Sequence, residues 1–298
     1  MEEEKRNVAP LLGPLKVDSV ANFIGATPLV RLNRLPAALG VKAQVYAKLE
    51  YFNAGGSVKD RIAKRMIEKA EASGAIKPGD TLIEASSGNT GIAIALMAAV
   101  KGYKCIITLS EKMSLEKERI LVALGAKVVR TPAGVPIESP DSIISVAQRL
   151  HQDIPGSFIL NQYENPENPA AHEFGTAEEL WYQTEGQVDV VISGAGTGGT
   201  VTGLARGLKK HRKDILVVAA DPLGSVLARP DDLNQTEAEY KVEGIGYDFV
   251  PGVLDQTAPD LWLKTCDRDS FLYARRLVQG EGLLCGGSSG ATIAHWFS

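Results

Sequence analysis

Lys59 stands behind a pair of glycines in the stretch Gly55-Gly56-Ser57-Val58-Lys59-Asp60-Arg61. Apolar residues recur from there at Val58, Ile62 and Met66, with Ile67 and Ala70 beside them, a helical stripe that closes near Gly74. Ser57 falls at the expected N-cap and Asp60, three residues on, completes a capping box, which puts Lys59 at the second helical position. Free N–H groups and the positive end of the helix dipole disfavour a second cation there. An amine that gives up its proton is a nucleophile able to form a Schiff base with an aldehyde. On this segment alone the ordinary alternative, a solvated surface lysine, carries more weight, because Ser-x-x-Asp caps are common and most lysines are exposed.

Three further loops each follow a strand pattern and open a helix pattern, the place where open parallel sheets bind ligands. Ser86-Ser87-Gly88-Asn89-Thr90 offers hydroxyls, an amide and backbone N–H groups that suit a small anion such as an amino-acid carboxylate; simple N-capping by Asn89 or Thr90 is an equal alternative. Gly194-Ala195-Gly196-Thr197-Gly198-Gly199-Thr200 contains G-x-G-x-x-G, and Asp221 lies 22 residues beyond Gly199 at the end of the next strand pattern. That is dinucleotide spacing, so an NAD-linked oxidoreductase is a rival; consecutive glycines with threonine hydroxyls equally form a nest for one phosphate. Cys285-Gly286-Gly287-Ser288-Ser289-Gly290 is the last loop, and by itself it could be a flexible turn. Jointly, a nucleophilic lysine, a carboxylate cradle, a phosphate cup and a hydroxyl-bearing glycine loop are what pyridoxal 5'-phosphate needs, whereas a dinucleotide enzyme needs neither Lys59 nor the Ser86 loop.

The elements that must position these loops alternate. Strands are expected over 45–49, 81–84, 105–109, 127–130, 158–160, 188–192 and 215–220, and helices over 91–100, 114–124, 141–150, 170–183, 201–210 and 269–279, with a last helix running into the chain end. The helix over 91–100 is apolar on nearly every face and is stopped by Gly102, so it must be buried. Strand-helix alternation means parallel pairing, hence an α/β fold. Residues 224–255 are irregular, a length that in a compact domain is usually functional. Composition agrees: 298 residues, 44% hydrophobic and 23% charged, allow two α/β lobes. A net charge of -4 gives no basic field for nucleic acid, the charged start Met1-Glu2-Glu3-Glu4-Lys5-Arg6 has no apolar signal core, and no run reaches the roughly eighteen apolar residues of a membrane span. The expectation is a cytosolic protein without nucleic-acid or membrane partners. Cys105, Cys266 and Cys285 are too far apart for a zinc knuckle or a disulfide framework and are expected to be reduced; His172, Trp181, Trp262 and Trp296 are expected to be structural.

Asn53 to Arg61, Ser87-Gly88-Asn89-Thr90-Gly91, Gly196 to Thr200, Glu243-Gly244-Ile245-Gly246-Tyr247-Asp248-Phe249 and Leu284 to Ser288 together resemble the fold type II (tryptophan synthase β-like) pyridoxal-phosphate enzymes. From about Val17 onward the similarity is to the cystathionine β-synthase family; the sister family, cysteine synthase, shares the lysine, Ser-Gly-Asn-Thr and Gly-Thr-Gly-Gly-Thr segments, while the double glycine before Ser57, Tyr247-Asp248-Phe249 and Cys285-Gly286-Gly287 lean to the former. The resemblance implies two doubly wound lobes with parallel central sheets: a mobile arm over 1–16, an N-terminal lobe over 47–156, and a C-terminal lobe over 17–46 and 157–298. It implies that Lys59 holds the cofactor and takes the α-proton, that Asn89 bonds the ring hydroxyl, that Gly196, Thr197, Gly198, Gly199 and Thr200 hold the phosphate, and that Ser288 faces the ring nitrogen. Ser86, Ser87, Gly88, Thr90 and Gln162 would bind the substrate carboxylate, Tyr163, Gly246 and Tyr247 would line the second-substrate pocket, and Glu243 would relay protons near the leaving group. The implied reaction is β-replacement on amino-acid substrates, L-serine with homocysteine, by a homodimer; O-acetylserine with sulfide is the sister chemistry. Animal members hold a haem through a cysteine and a histidine ahead of the catalytic lysine, and residues 1–58 contain neither type, so no haem or other metal is expected. The chain stops in its last helix, ahead of the family's closing strand and the C-terminal pair that binds S-adenosylmethionine in some members, so no regulatory domain is expected.

Overall fold

The structure is a computed structural model that describes residues 16–86, 88–136 and 138–294. The expected arm over 1–16 therefore falls almost wholly outside the described residues, as do Ser87 and Trp296. Two parallel sheets carry the fold. The first contains β3 (Thr81–Ala85), β4 (Lys104–Ser110), β5 (Lys127–Thr131) and β6 (Ser157–Ile159) in the order β5-β4-β3-β6, all parallel. The second contains β7 (Val190–Gly194), β8 (Leu216–Pro222) and β9 (Leu261–Thr265), also parallel. A small antiparallel ribbon, β1 (Leu29–Arg31) with β2 (Tyr46–Lys48), pairs Leu29 with Lys48.

Every residue of β3 is buried, as a central parallel strand covered on both faces requires. Helices α2 (Lys59–Ala72) and α3 (Asn89–Lys101) stack on this sheet, α2 contributing the buried side chains of Ile62, Ala63, Met66 and Ile67, and α3 those of Ala93, Ile94, Ala95 and Met97. The alanine-rich α3 can sit between sheet and helix because its side chains are short, and it ends where Gly102 takes φ 77° and donates to Ala98 O. Helices α4 (Leu115–Ala123) and α5 (Ile143–Asp153) complete the first lobe. In the second, α8 (Gly199–His211) packs through Gly203 and Gly207 against the segment ahead of α7 (Ala177–Gln183): a Cβ at 203 would lie 2.3 Å from Pro169 O. Helices α9 (Asp267–Glu281) and α10 (Gly287–Ala294) close the described chain.

Three expectations are corrected. The helix expected over 170–183 is α6 (Glu167–Ala171), a π-turn over His172–Thr176 and α7, because widening the turn seats His172 and Glu173 against Gly203 and Gly207. The strand after residue 156, expected with the C-terminal lobe, pairs with β3 in the first sheet, Ile159 opposite Ile83. The capping box at Lys59 does not form: Ser57 Oγ accepts from Lys59 N at 3.2 Å, but the Asp60 carboxylate reaches back to Gly55 N at 2.6 Å, and Lys59 is the first helical residue. Strands β1 and β9 were not expected; β9 emerges from the end of the irregular stretch, where Leu261-Trp262-Leu263 gives too short an alternation to stand out.

Candidate active site

Lys59 is half-buried as a residue, yet its ammonium end is desolvated enough to pull its pKa below the ordinary lysine value. Burial is the sole cause: among the described residues the amine has neither a hydrogen-bond acceptor nor a carboxylate partner. Its charge is felt by His172, which is 1% exposed and whose pKa is driven well down by burial first, then by Arg61 and Lys59. His172 is therefore neutral, sharing one hydrogen bond between Nδ1 and Thr176 Oγ1 (2.9 Å) and another between Nε2 and Thr200 Oγ1 (3.2 Å). The structural histidine of the sequence thus reaches the phosphate-type loop, a contact created by the π-turn and invisible in linear spacing.

That loop joins β7 to α8. Gly198 takes φ 84°, and a Cβ at Gly199 would lie 1.9 Å from Asn168 Oδ1, so both positions need glycine. Among the described residues the amides from Gly196 through Val201 donate to no protein acceptor, although Ala195 N bonds Ala220 O and Thr202 N bonds Gly198 O on either side. A row of free N–H groups at a helix N-terminus matches a phosphate dianion. The dinucleotide alternative loses its acidic residue: Asp221 is fully buried and paired with Lys264 at 2.7 Å, which leaves it no ribose to bind.

The Ser86 loop folds around its own hydroxyl, Ser86 Oγ accepting from Gly91 N at 2.9 Å and Gly88 N at 3.3 Å. Thr90 donates to Gln162 Oε1 at 2.6 Å, and Asn89 opens α3 with an exposed side chain. Gln162 is tied onward: Asn168 Nδ2 bonds both Gln162 O (2.7 Å) and Thr197 Oγ1 (3.1 Å). A continuous hydrogen-bonded path thus runs Thr90, Gln162, Asn168, Thr197, from the carboxylate-type loop to the phosphate-type loop. Asn168 was missed in the sequence, since only the fold brings it between the loops.

Across the cleft, Gly246 N bonds Ala195 O at 2.8 Å, which hangs the 243–249 stretch on the glycine loop. Tyr163 packs edge-on against Tyr247 (5.8 Å between centroids) and Phe249 (5.4 Å), both phenols pushed to higher pKa chiefly by burial. Beside them lies a cavity of about 280 Å³ reached by Thr131, Val135 and Asp248. Glu243 is exposed and ion-paired with Lys117, whose Nζ also lies over Gly88. Ser288 is half-buried at the start of α10, its carbonyl accepting from Thr292 Oγ1 at 2.9 Å. Among the described residues no group of three or more His, Cys, Asp or Glu could hold a metal, and no helix is long and apolar enough to cross a membrane.

A desolvated lysine without a partner among the described residues and an open amide row at a helix start, set between two parallel-sheet lobes, define an α/β enzyme that anchors an aldehyde and a phosphate together. The chain belongs to the pyridoxal-phosphate dependent enzyme family, whose model matches residues 20–296. The cystathionine beta-synthase of Dictyostelium discoideum is 56% identical over 279 residues, 94% of this chain and 56% of that protein. Those of Rattus norvegicus and Saccharomyces cerevisiae are 54% and 55% identical over 97% and 92% of this chain, and 52% and 56% of theirs. The chain thus spans about half the length of the curated relatives it matches. Among solved structures, an O-ureido-L-serine synthase superposes with TM-score 0.86 at 36% identity, covering 94% of this chain and 85% of that one. A hydrogen sulfide-producing enzyme from Fusobacterium nucleatum superposes with TM-score 0.87 at 36% identity, covering 95% and 93%. The cofactor of the family, pyridoxal phosphate, fits the donors present among the described residues: the uncompensated Lys59 amine and the free amides of Gly196 to Val201.

Proposed function

We propose that this chain catalyses β-replacement, joining L-serine and L-homocysteine into cystathionine with release of water. The observation that carries the reading is the Lys59 amine, without a partner among the described residues and electrostatically joined through His172 to Thr200 of the open amide row. The names of the curated relatives support the choice of substrates. Lys59, Gly196 to Thr200, Asn89 and Ser288 would hold pyridoxal phosphate, which would supply an electron sink for charge at the substrate Cα. Ser288 would contribute a neutral hydroxyl rather than a carboxylate, which restrains such a sink and favours β-elimination over transamination. Ser86, Ser87, Gly88, Thr90 and Gln162 receive the α-carboxylate and orient the Cα–H bond toward Lys59, whose lowered pKa suits it to take that proton and return it. The β-hydroxyl of serine leaves with a proton as water; the homocysteine sulfur forms the new C–S bond and gives up its own. Tyr163, Tyr247 and Gly246 flank the approach of that thiol, and the two tyrosine rings exclude water. Glu243 can relay a proton only when its pair with Lys117 parts. The exposed apolar side chains of Phe23, Tyr51, Phe52 and Phe174 fit a homodimer, which light scattering tests.

Protein loaded with the cofactor is expected to absorb in the visible, and borohydride followed by peptide mapping to place the label on Lys59. Mass spectrometry of serine plus homocysteine is expected to show cystathionine. Cysteine from O-acetylserine and sulfide, with no cystathionine from the first pair, would assign the sister chemistry instead.

A further inference from the structure

Glu84 is a buried carboxylate that none of the steps above uses. It lies at the penultimate position of β3, is 0% exposed, and accepts two consecutive main-chain amides: Asn161 N on Oε2 at 2.8 Å and Gln162 N on Oε1 at 2.9 Å. These bonds begin where the β-ladder ends. Strand β6 follows β3 as far as Ile159, Leu160 N still reaches Ile83 O at 3.4 Å, and the chain then turns away through Asn161 at φ 56°. From that point the Glu84 side chain takes over from the main chain as the acceptor. Only a carboxylate presents two acceptor oxygens side by side to two adjacent N–H groups; a glutamine would turn an NH₂ toward one of them. The cost of burying it is visible in a carboxyl pKa raised to about 7 by desolvation, against which the two amides pull down. The titratable groups that feel its charge, Cys105 on β4, Tyr163 in the turn and Tyr247 from the second lobe, are weak acids and supply no compensating cation.

The turn so clamped carries Gln162, which holds Thr90 at 2.6 Å, and Tyr163, while one residue after Glu84 and Ala85 comes the Ser86 loop. One buried side chain therefore sets both walls of the amino-acid cradle, one through the covalent chain and one through hydrogen bonds. We propose that Glu84 is a positioning residue that fixes the Gln162–Thr90 arm for the first substrate's α-carboxylate, an inference that rests on the carboxylate site assigned above.

The test uses full-length holoenzyme and follows serine binding through the visible spectrum, with steady-state kinetics beside it. Glu84→Gln is expected to keep the cofactor band and its attachment to Lys59 while weakening serine binding roughly 10–100-fold, with the KM for homocysteine shifted less than about threefold. In a Gln162→Ala background the same change is expected to add little, because the arm that it positions is gone. Serine binding within twofold of wild type, or an undiminished loss in the Gln162→Ala background, overturns the proposal. If Glu84→Gln does not fold, Glu84→Asp, too short to reach both amides, takes its place: weakened serine binding supports the clamp and unchanged binding refutes it. Failure of the wild type to make cystathionine while it still binds serine would sink the reaction assignment and leave the Glu84 result standing.

Discussion

Lys59 and Arg61 are cations two residues apart in the first turn of α2, and the structure treats them in opposite ways. Arg61 has its guanidinium matched throughout: Nε to Glu50 at 2.6 Å, Nη1 to Glu179 at 2.7 Å, and Nη2 to both carboxylates and to Thr27 Oγ1 at 3.1 Å. Burial lowers its pKa, but the two carboxylates overcome this and hold it above the ordinary arginine value. Lys59 has no partner among the described residues, and burial alone acts on it. Complete pairing makes a buried cation structural; a buried amine left unpaired is held ready to react. The guanidinium suits the first task because its planar fork meets two carboxylates at once, and the amine suits the second because it can lose its proton.

The largest expected effect is on Lys59 itself. Lys59→Ala should lower turnover by at least about 10²–10⁴-fold, the usual span for a lost acid–base group, without lowering the melting temperature of cofactor-free protein; a melting loss as great as that of an Arg61 variant would erase the contrast. Next, Arg61→Met leaves Glu50 and Glu179 facing each other and should cost about 3–5 kcal/mol in chemical denaturation, while the folded fraction still takes cofactor on Lys59. Acid titration separates the pair further. Glu179 is held down at about 2 by Arg61 and Lys48 against its burial, so it contributes stability above its unfolded pKa of 4.5 that is lost as pH falls toward 2. Lys59 has the same sense in a higher pH window: its lowered pKa makes the unfolded chain bind more protons, so cofactor-free protein gains stability as pH rises through the folded value toward 10.5. Glu179→Gln should flatten the acid limb of the melting curve and leave the alkaline limb in place. The smallest effect is expected from Lys48→Met, which removes contacts to Glu179 (2.7 Å), Thr27 O (2.6 Å) and Gln183 Oε1 (2.9 Å) and should cost about 1–2 kcal/mol in the same denaturation experiment.

Much of this site could be read locally. Lys59, the Ser86 loop and Gly196 to Thr200 each sit at a strand-to-helix junction that hydrophobic periodicity reveals, and the alternation around them gives the two parallel sheets. What escaped depends on contacts between distant residues. The Arg61 cluster joins residues 50, 61 and 179, Asn168 lies between two loops only after folding, and the π-turn at His172 is a response to Gly203 and Gly207 on a neighbouring helix. Glu84 was hidden for a different cause: in a short strand, an acid reads as an exposed edge residue, and here it is wholly buried because a turn 77 residues later supplies two amides. The capping box at Ser57 does not form, since the helix opens one residue later with Val58 at its N-cap, and the Asp60 carboxylate accepts from Gly55 N across the glycine pair.

The Asn168 bridge has a thermodynamic consequence. Its single amide donates to Gln162 O on the amino-acid side and to Thr197 Oγ1 on the phosphate side. If these loops bind as proposed, ordering either by its ligand would prepay part of the conformational entropy of the other, so cofactor and amino acid are expected to tighten each other's binding, by linkage with the same factor in both directions.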